Sequence, residues 1–520
     1  MILNLLLSAC APQAAHLPPV VQETSFLNTS IELNTFTPVP VSHESNQVKW
    51  VYALVAPFPT VSDGVTSEEL HLAWTQGVQP AAFSGQPLMV DEPTLVELSA
   101  LWGEPASGAV QIVASDRLLE NAWAEPGSWA ILPFEVLQPK WKVLAVDGQS
   151  PVRRDFDLSR YPLLVNLDVQ AQAQLTSNYD PSKLTMVVMT GVTALVRATA
   201  YTMELKSVTY PGERIREVLR EADIAHISNE IPFFTGCTFP KPDSGALVFC
   251  SDPKYIDLLL DIGADVVELT GNHFADRGSA GMRETIEIYN EHNLPYFGGG
   301  LDLQDSLEPA LFEVDGNKIA FIGCNRPDVN RFPTATDFQP GAAPCDFEYL
   351  TGKISQLKAE GYVVISTFQW YESYGAQPSP QQVSDFRLMA DSGASVVSGS
   401  QAHYAQAMEF RNDSFIHYGL GNLFFDQMGD QDWMPPGIRR EFLDRYVIYD
   451  GRLISIELIT AMLEDYSRPR LMTDSERAVF LNEYFYYSGW TPLIPTPVPT
   501  VTPTLTPMSI PPQLTATAAP

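Results

Sequence analysis

From Lys183 to His403 the chain alternates apolar, β-branched runs with segments of helical spacing, and polar residues recur where each run stops. Lys183–Met189 runs into Thr190-Gly191, Ala222–Ile227 into Ser228-Asn229-Glu230, and Asp265–Leu269 into Thr270-Gly271-Asn272-His273. Tyr362–Thr367 runs into Phe368-Gln369-Trp370-Tyr371-Glu372, and Ala394–Val397 into Gly399-Ser400-Gln401-Ala402-His403. A further strand is expected over Lys318–Gly323, with helices over Glu213–Glu221, Lys254–Ile262, 281–293 and 381–391. This alternation predicts an α/β domain whose sheets are covered by helices. Loops at the C-terminal ends of buried strands converge on one crevice, so the recurring polar residues mark the expected site.

The rest of the chain divides by composition. Prolines crowd both ends. Thr491–Pro520 alternates Thr and Pro, which removes backbone donors and fixes φ, so a disordered, extended tail is expected. At the other end, Leu7-Ser8-Ala9-Cys10 follows a short apolar stretch, resembling a bacterial lipoprotein cleavage box. In that reading 1–10 is a signal segment, Cys10 is lipidated, and 11–46 is a flexible tether. The expected location is extracytoplasmic, held to the bacterial membrane through the lipid anchor only. No apolar run approaches the roughly 18 residues needed to span a bilayer. Sixty-two Asp plus Glu against 31 Lys plus Arg leave a formal charge of −31, which argues against a nucleic-acid partner. Cys237, Cys250, Cys324 and Cys345 allow three pairings. In an exported chain, the shortest loops favour Cys237–Cys250 and Cys324–Cys345.

Residues 47–172 read as a smaller α/β accessory domain. Lys49–Val55 is strand-like, Ser67–Trp74 carries helical spacing behind a Ser/Glu cap, and Trp129–Glu135 and Trp141–Gly148 read as two strands around a proline break. Part of this stretch is weakly similar to a lobe of phosphate-type periplasmic binding proteins. A ligand- or partner-binding module and a purely structural accessory are both open.

The ordered motifs Asn229-Glu230, Gly271-Asn272-His273 with Asp276, Gln369-Trp370, Gly399-Ser400-Gln401-Ala402-His403 and Tyr418–Phe424 resemble the CapA family. The resemblance covers about 183–430, within a domain drawn over 183–488. It implies a calcineurin-like metallophosphatase fold, an αββα sandwich, and a role in capsule or poly-γ-glutamate synthesis. It implies an anionic envelope polymer or peptide-like substrate, with hydrolysis or transfer at an amide or phosphoester bond. The chain departs from the family at three places. Val192 stands where the family has an acid after the first strand, and Gln369 and Gln401 stand where it has histidines. Glutamine is a poor ligand for zinc-like ions, so a two-metal centre conflicts with these residues.

Glu230, Asn272, His273 and His403 remain as candidate ligands for one divalent metal (Mn, Zn or Fe), with Glu230, His273 and His403 as the catalytic set. The same three suit metal-free acid/base work, or only hydrogen bonds within loops. Asn229, Asp276, Gln369, Glu372, Gln401 and Asn422 are expected around them, Asp276 orienting His273. A non-catalytic polymer- or ligand-binding protein is the rival reading. His226 and His417 are expected to be structural. Tyr484–Tyr487, near Trp490, suits a helix docking its apolar face. Arg439, Arg440, Arg445, Arg468 and Arg470 are candidates for a basic patch or a solvated face.

Overall fold

The computed structural model describes residues 45–83, 85–170, 177–242, 247–326, 334–429 and 434–490. Cys10, the tether up to residue 44 and the Pro/Thr tail lie outside the described residues.

Two sheets form the centre of the 183–488 region. In the first, Tyr296–Phe297, Val266–Glu268, Ile224–Asn229 and Leu184–Met189 run parallel in that order. The sheet continues antiparallel through Arg440–Tyr449, Arg452–Glu464 and Arg468–Leu471. In the second, Asn317–Asn325, Val363–Gln369, Val396–Ser400 and Ser414–His417 run parallel, with Ala310–Val314 and Met408–Arg411 at the edges. Side chains alternate faces along a strand, and here the alternation sorts three layers. Val187, Met189, Ile319, Phe321, Val363, Ile365, Val396 and Phe415 point inward and fuse the two sheets into one core. Val188, Ala225, Ile227 and Val267 point outward onto helices that include Gly278–Glu291. Ala320, Ile322, Val364, Val397 and Ile416 point outward onto Phe347–Ala359 and Pro380–Ser392. The result is an αββα sandwich, the architecture that the resemblance implies.

One buried polar bridge crosses between the sheets. His417 Nδ1, on the second sheet, lies 2.6 Å from Asp444 Oδ2, on the first, and both side chains are fully buried. Tyr446 donates to the same oxygen at 3.0 Å, and His417 Nε2 reaches the Gln406 carbonyl at 3.2 Å. His226 likewise sits against Glu268 at 3.1 Å. Both histidines are structural.

Residues 45–170 build a separate sheet, centred on Ser45–Pro57 between Trp141–Val146 and Trp129–Pro133. Its core is continuous with Leu184, Met186, Val447, Tyr449 and Ile454 of the sandwich. The helix Asp474–Tyr487 buries Phe480, Leu481, Tyr484 and Phe485 and leaves Tyr486 exposed, the docking expected of that aromatic run.

Local boundaries differ from expectation in instructive ways. The helix Ser67–Gln76 is capped by Thr66, not Ser67, through a reciprocal Thr66–Glu69 box. The charged segment Glu213–Glu221 is helical only over Arg216–Arg220, because Tyr210–Gly212 opens it as a tighter turn. The strand at Ala394 starts at Val396 and runs to Ser400. The arginines are neither a free patch nor a solvated face. Arg445 is 2% exposed and bridges Glu221 and Glu457, Arg440 pairs with Glu483, Arg468 with Glu213 and Asp465, and Arg470 with Glu464 and Glu476. Arg439 donates to the Leu463 carbonyl.

Removing one partner of a fully buried hydrogen-bonded bridge costs about 1–3 kcal/mol, because the other is left unsatisfied. Asp444→Ala is therefore expected to lower the unfolding free energy by that amount, read as a lower denaturant midpoint at constant m-value. A loss below about 1 kcal/mol, the scale of an exposed pair, would show that the bridge does not tie the sheets.

Candidate functional site

The polar residues at the strand ends come from both sheets to one place. Glu230 follows Ile224–Asn229, and its N–H donates to the Thr193 carbonyl at 2.9 Å. Asn272 and His273 follow Val266–Glu268. This second loop passes directly over the first: a Cβ on Gly271 would stand 2.4 Å from the Glu230 carbonyl oxygen. Only glycine permits that approach. Gln369 closes Val363–Gln369, Gln401 and His403 follow Val396–Ser400, and Asn422 opens Asn422–Phe424.

Hydrogen bonds then join the two sheets across the crevice. Gln369 Nε2 donates to Asn272 Oδ1 at 3.1 Å and also contacts Gln401 Oε1. Ser400 donates to Gln369 Oε1 at 2.8 Å. His403 Nδ1 stands 2.8 Å from Asn422 Oδ1, and the Asn422 amide returns to the His403 carbonyl at 3.3 Å and to Gln427 at 3.0 Å. Gln401 (φ 74°) and His403 (φ 31°) both lie in the left-handed region. Such backbone costs on the order of 1–3 kcal/mol per residue and persists only where surroundings over-determine it. Here Asn422 grips His403 from two sides.

Glu230 is the unusual member. It is 1% exposed, and neither carboxylate oxygen has a hydrogen-bond partner among the described residues. Its Oε1 faces His403 Nε2 at 4.0 Å. His273 lies close enough for the Glu230 charge to act on it, but its Nδ1 is held by Asp276 at 2.7 Å. Asp276 also accepts from the Phe249 N–H at 2.6 Å, so Phe249, next to the Cys237–Cys250 disulfide, buttresses His273 through it. Burial opposes charge on the His273 ring. The hydrogen bond to Asp276 and the carboxylates of Glu230, Asp276 and Glu372 outweigh it, and its pKa rises above the ordinary value. Glu372 is exposed and accepts from Tyr374, whose phenol is pushed up by burial, by Glu372 and by Glu230. Asn229 is turned toward the helical layer, donating to Tyr289 at 2.7 Å and to the Ile231 carbonyl at 2.9 Å.

These donors fit a metal centre poorly. Among the described residues no three His, Cys, Asp or Glu side chains stand together as a ligand set. Glu230 and His403 offer two donors, Gln369 and Gln401 are occupied with each other, and Val192 is fully buried between strands rather than replaced by a carboxylate. A two-metal site does not fit this arrangement, and among the described residues the Glu230–His403 pair is the nearest approach to a ligand set for a single ion.

Residues that motif reading missed complete the wall. Arg197 (φ 44°) pairs with Asp426 and stacks over Phe249 and Phe425 at 5.1 and 4.9 Å. Phe249 and Phe425 in turn lie 4.2 and 5.1 Å from the rings of His273 and His403. A lone arginine inside the apolar stretch 192–200 was the available signal. Both pairs Cys237–Cys250 and Cys324–Cys345 are disulfide-bonded.

Residues 186–427 match the family model described as bacterial capsule synthesis protein PGA_cap. The chain is 31% identical over 171 residues to the capsule biosynthesis protein CapA of Bacillus anthracis, covering 32% of this chain and 41% of that protein. It is 31% identical over 178 residues to the PGA biosynthesis protein CapA of Bacillus subtilis, covering 34% of this chain and 47% of that protein. The matches thus span less than half the length of either relative. Among solved structures, Haemophilus influenzae NAD nucleotidase aligns at 12% identity with a TM-score of 0.34, covering 58% of this chain and 55% of that one. That likeness is too distant to bear on function.

A histidine with a raised folded pKa gives stability that is full below the unfolded midpoint near 6.5 and is lost as pH rises through the higher folded value. Replacing Asp276 by Asn is expected to move the His273 titration downward in NMR and to erase this pH-dependent part of stability. An unchanged or higher His273 midpoint would show that Asp276 does not hold the ring's charge.

Proposed function

Because residues 186–427 match the model of the bacterial capsule synthesis protein family PGA_cap, we propose that this chain acts outside the cytoplasm. Its role there is the synthesis, attachment or processing of an anionic envelope polymer of the poly-γ-glutamate type. The observation that carries a chemical role for the crevice is Glu230: a buried carboxylate with no hydrogen-bond donor among the described residues, 4.0 Å from an imidazole. A polar group in that state is costly unless a ligand or reaction uses it. Two disulfides support an oxidising compartment. Membrane attachment through Cys10 remains part of the proposal.

The reading is hydrolysis or transfer at an amide bond of the polymer. Glu230 accepts a proton from the attacking group, and His403, fixed by Asn422, is the neighbouring acid that delivers one to the leaving nitrogen. His273, whose pKa Asp276 helps to raise, faces the polymer's carboxylates. No step is assigned to a metal, since the donor set does not close. The amide cluster of Gln369, Gln401 and Asn272 favours a second reading, capture of the polymer without chemistry.

The test incubates purified full chain with poly-γ-glutamate of defined length and follows product size alongside polymer binding. Glu230→Gln is expected to lower turnover by about 10²–10⁴-fold, the usual contribution of a positioned acid/base, while leaving binding intact. Chelation is expected to change nothing. Loss on chelation, restored by Mn, Zn or Fe, would reinstate the metal reading. Binding without turnover in the wild type would leave capture, and neither binding nor turnover would remove the polymer assignment.

A further inference from the structure

A line of hydrogen bonds leads from the crevice to the surface. It starts at His403 Nδ1, 2.8 Å from Asn422 Oδ1. The Asn422 amide donates to Gln427 Oε1 at 3.0 Å, and Gln427 Nε2 donates to the Tyr374 hydroxyl at 3.2 Å. Tyr374 donates in turn to Glu372, which is exposed. His403, Asn422 and Gln427 are buried. The Tyr374 ring also lies along the His403 ring, with centroids 6.2 Å apart and planes 25° from parallel.

An imidazole and a side-chain amide can each face either way, so the direction of such a line is set by groups that cannot reverse. One stands at each end. The His403 carbonyl only accepts, so the Asn422 atom 3.3 Å from it is the amide nitrogen, and the atom facing Nδ1 is the oxygen. The Glu372 carboxylate only accepts as well, so the phenol proton points to it and the phenol oxygen receives Gln427 Nε2. Burial, the bond to Glu372 and the charges of Glu372 and Glu230 push the phenol pKa up, which keeps that proton in place. Gln427 then turns its oxygen to Asn422, the orientation that the carbonyl demands from the other side. The two ends agree. Every donor points from the imidazole toward Glu372, and aligned bonds of this kind polarise one another.

We propose that Asn422, Gln427 and Tyr374 are positioning residues that keep a proton on His403 Nδ1, so that the nitrogen that gains or loses a proton is Nε2, which faces Glu230. The opposite arrangement has the proton on Nε2 alone, with Nδ1 accepting from the Asn422 amide. It would press Asn422 Oδ1 against both the His403 carbonyl and Gln427 Oε1, acceptor against acceptor. Holding the far nitrogen of an imidazole so that the near one works is the task of the third member of an acid/base triad. Gln427 and Tyr374 perform it through Asn422, one and two bonds further out. The effect on turnover rests on the acid/base reading of Glu230 and His403; the proton on Nδ1 does not.

Nitrogen NMR of the full chain, labelled at the histidine rings, reads this proton directly. His403 is expected to carry a proton on Nδ1, as the neutral Nδ1–H form or as the cation. A protonated Nε2 with a bare Nδ1 would overturn the proposal. Tyr374→Phe keeps the ring over His403 and removes only the hydroxyl, and Gln427→Met keeps the length of the side chain and removes its amide. Each is expected to shift the ring-nitrogen signals toward the Nε2–H form. Each should also lower kcat by about two- to tenfold at unchanged KM, the scale of one neutral hydrogen bond. Wild-type ring signals in both folded variants would overturn the positioning role, whatever their turnover. Shifted signals in a protein that turns over no polymer would uphold it and remove the acid/base reading instead.

Discussion

Two sheets can contribute to one crevice only if their inner faces are packed together with the same strand ends at the same edge. That packing is the constraint from which the rest of this structure follows. The strict alternation of Val187, Val188 and Met189, or of Ile319, Ala320, Phe321 and Ile322, assigns each side chain to one layer. A one-residue slip would reverse every assignment along the strand. Apolar burial alone tolerates sliding of one sheet over the other. The His417–Asp444 bridge does not, because two fully buried groups must meet at 2.6 Å. The parallel register of the strands then carries Glu230, His273, Gln369 and His403 to a common rim.

Much of this was legible in the order of residues. Apolar runs ending in Asn229-Glu230, Gly271-Asn272-His273 and Gln401-Ala402-His403 located the crevice, because strand ends in a parallel sheet point one way. What was not legible was separation and direction. Asn229 and Glu230 are adjacent in sequence, yet Asn229 turns to Tyr289 in the helical layer while Glu230 faces His403. His273 belongs to the crevice electrostatically, but does not close a three-donor set with Glu230 and His403. Arg197, Phe249 and Phe425 carry no motif at all, and only the fold brings them onto the two imidazoles. The arginines near the C-terminus looked like a surface feature because sequence does not reveal that Glu221, Glu457, Glu464 and Glu483 stand opposite them.

The glutamines show how a site can keep its shape while changing its chemistry. An imidazole at position 369 or 401 would present a basic nitrogen to a cation. An amide presents both a donor and an acceptor, and two amides facing each other satisfy one another. Gln369 does this with Gln401 and extends to Asn272 and Ser400, so that the network braces both sheets at the point where ligands would otherwise converge. The strained backbone at Gln401 and His403 is tolerated in the same place, held by Asn422.

Within a rim so thoroughly paired, Glu230 stands out by contrast. Asn272, Gln369, Gln401, Asn422 and Gln427 are each bound to a neighbour, yet Glu230 accepts nothing from the described residues. A structural carboxylate in an apolar core is ordinarily supplied with donors, as Asp444 is by Tyr446 and Asp276 by Phe249; Glu441, also 1% exposed and without a partner among the described residues, is a second exception outside the crevice. If the glutamine network were only the remnant of a lost site, the cheapest arrangement would have enlisted Glu230 as well. Its isolation 4.0 Å from His403, in a rim whose other polar side chains are paired, is the feature on which the proposed acid/base reading rests.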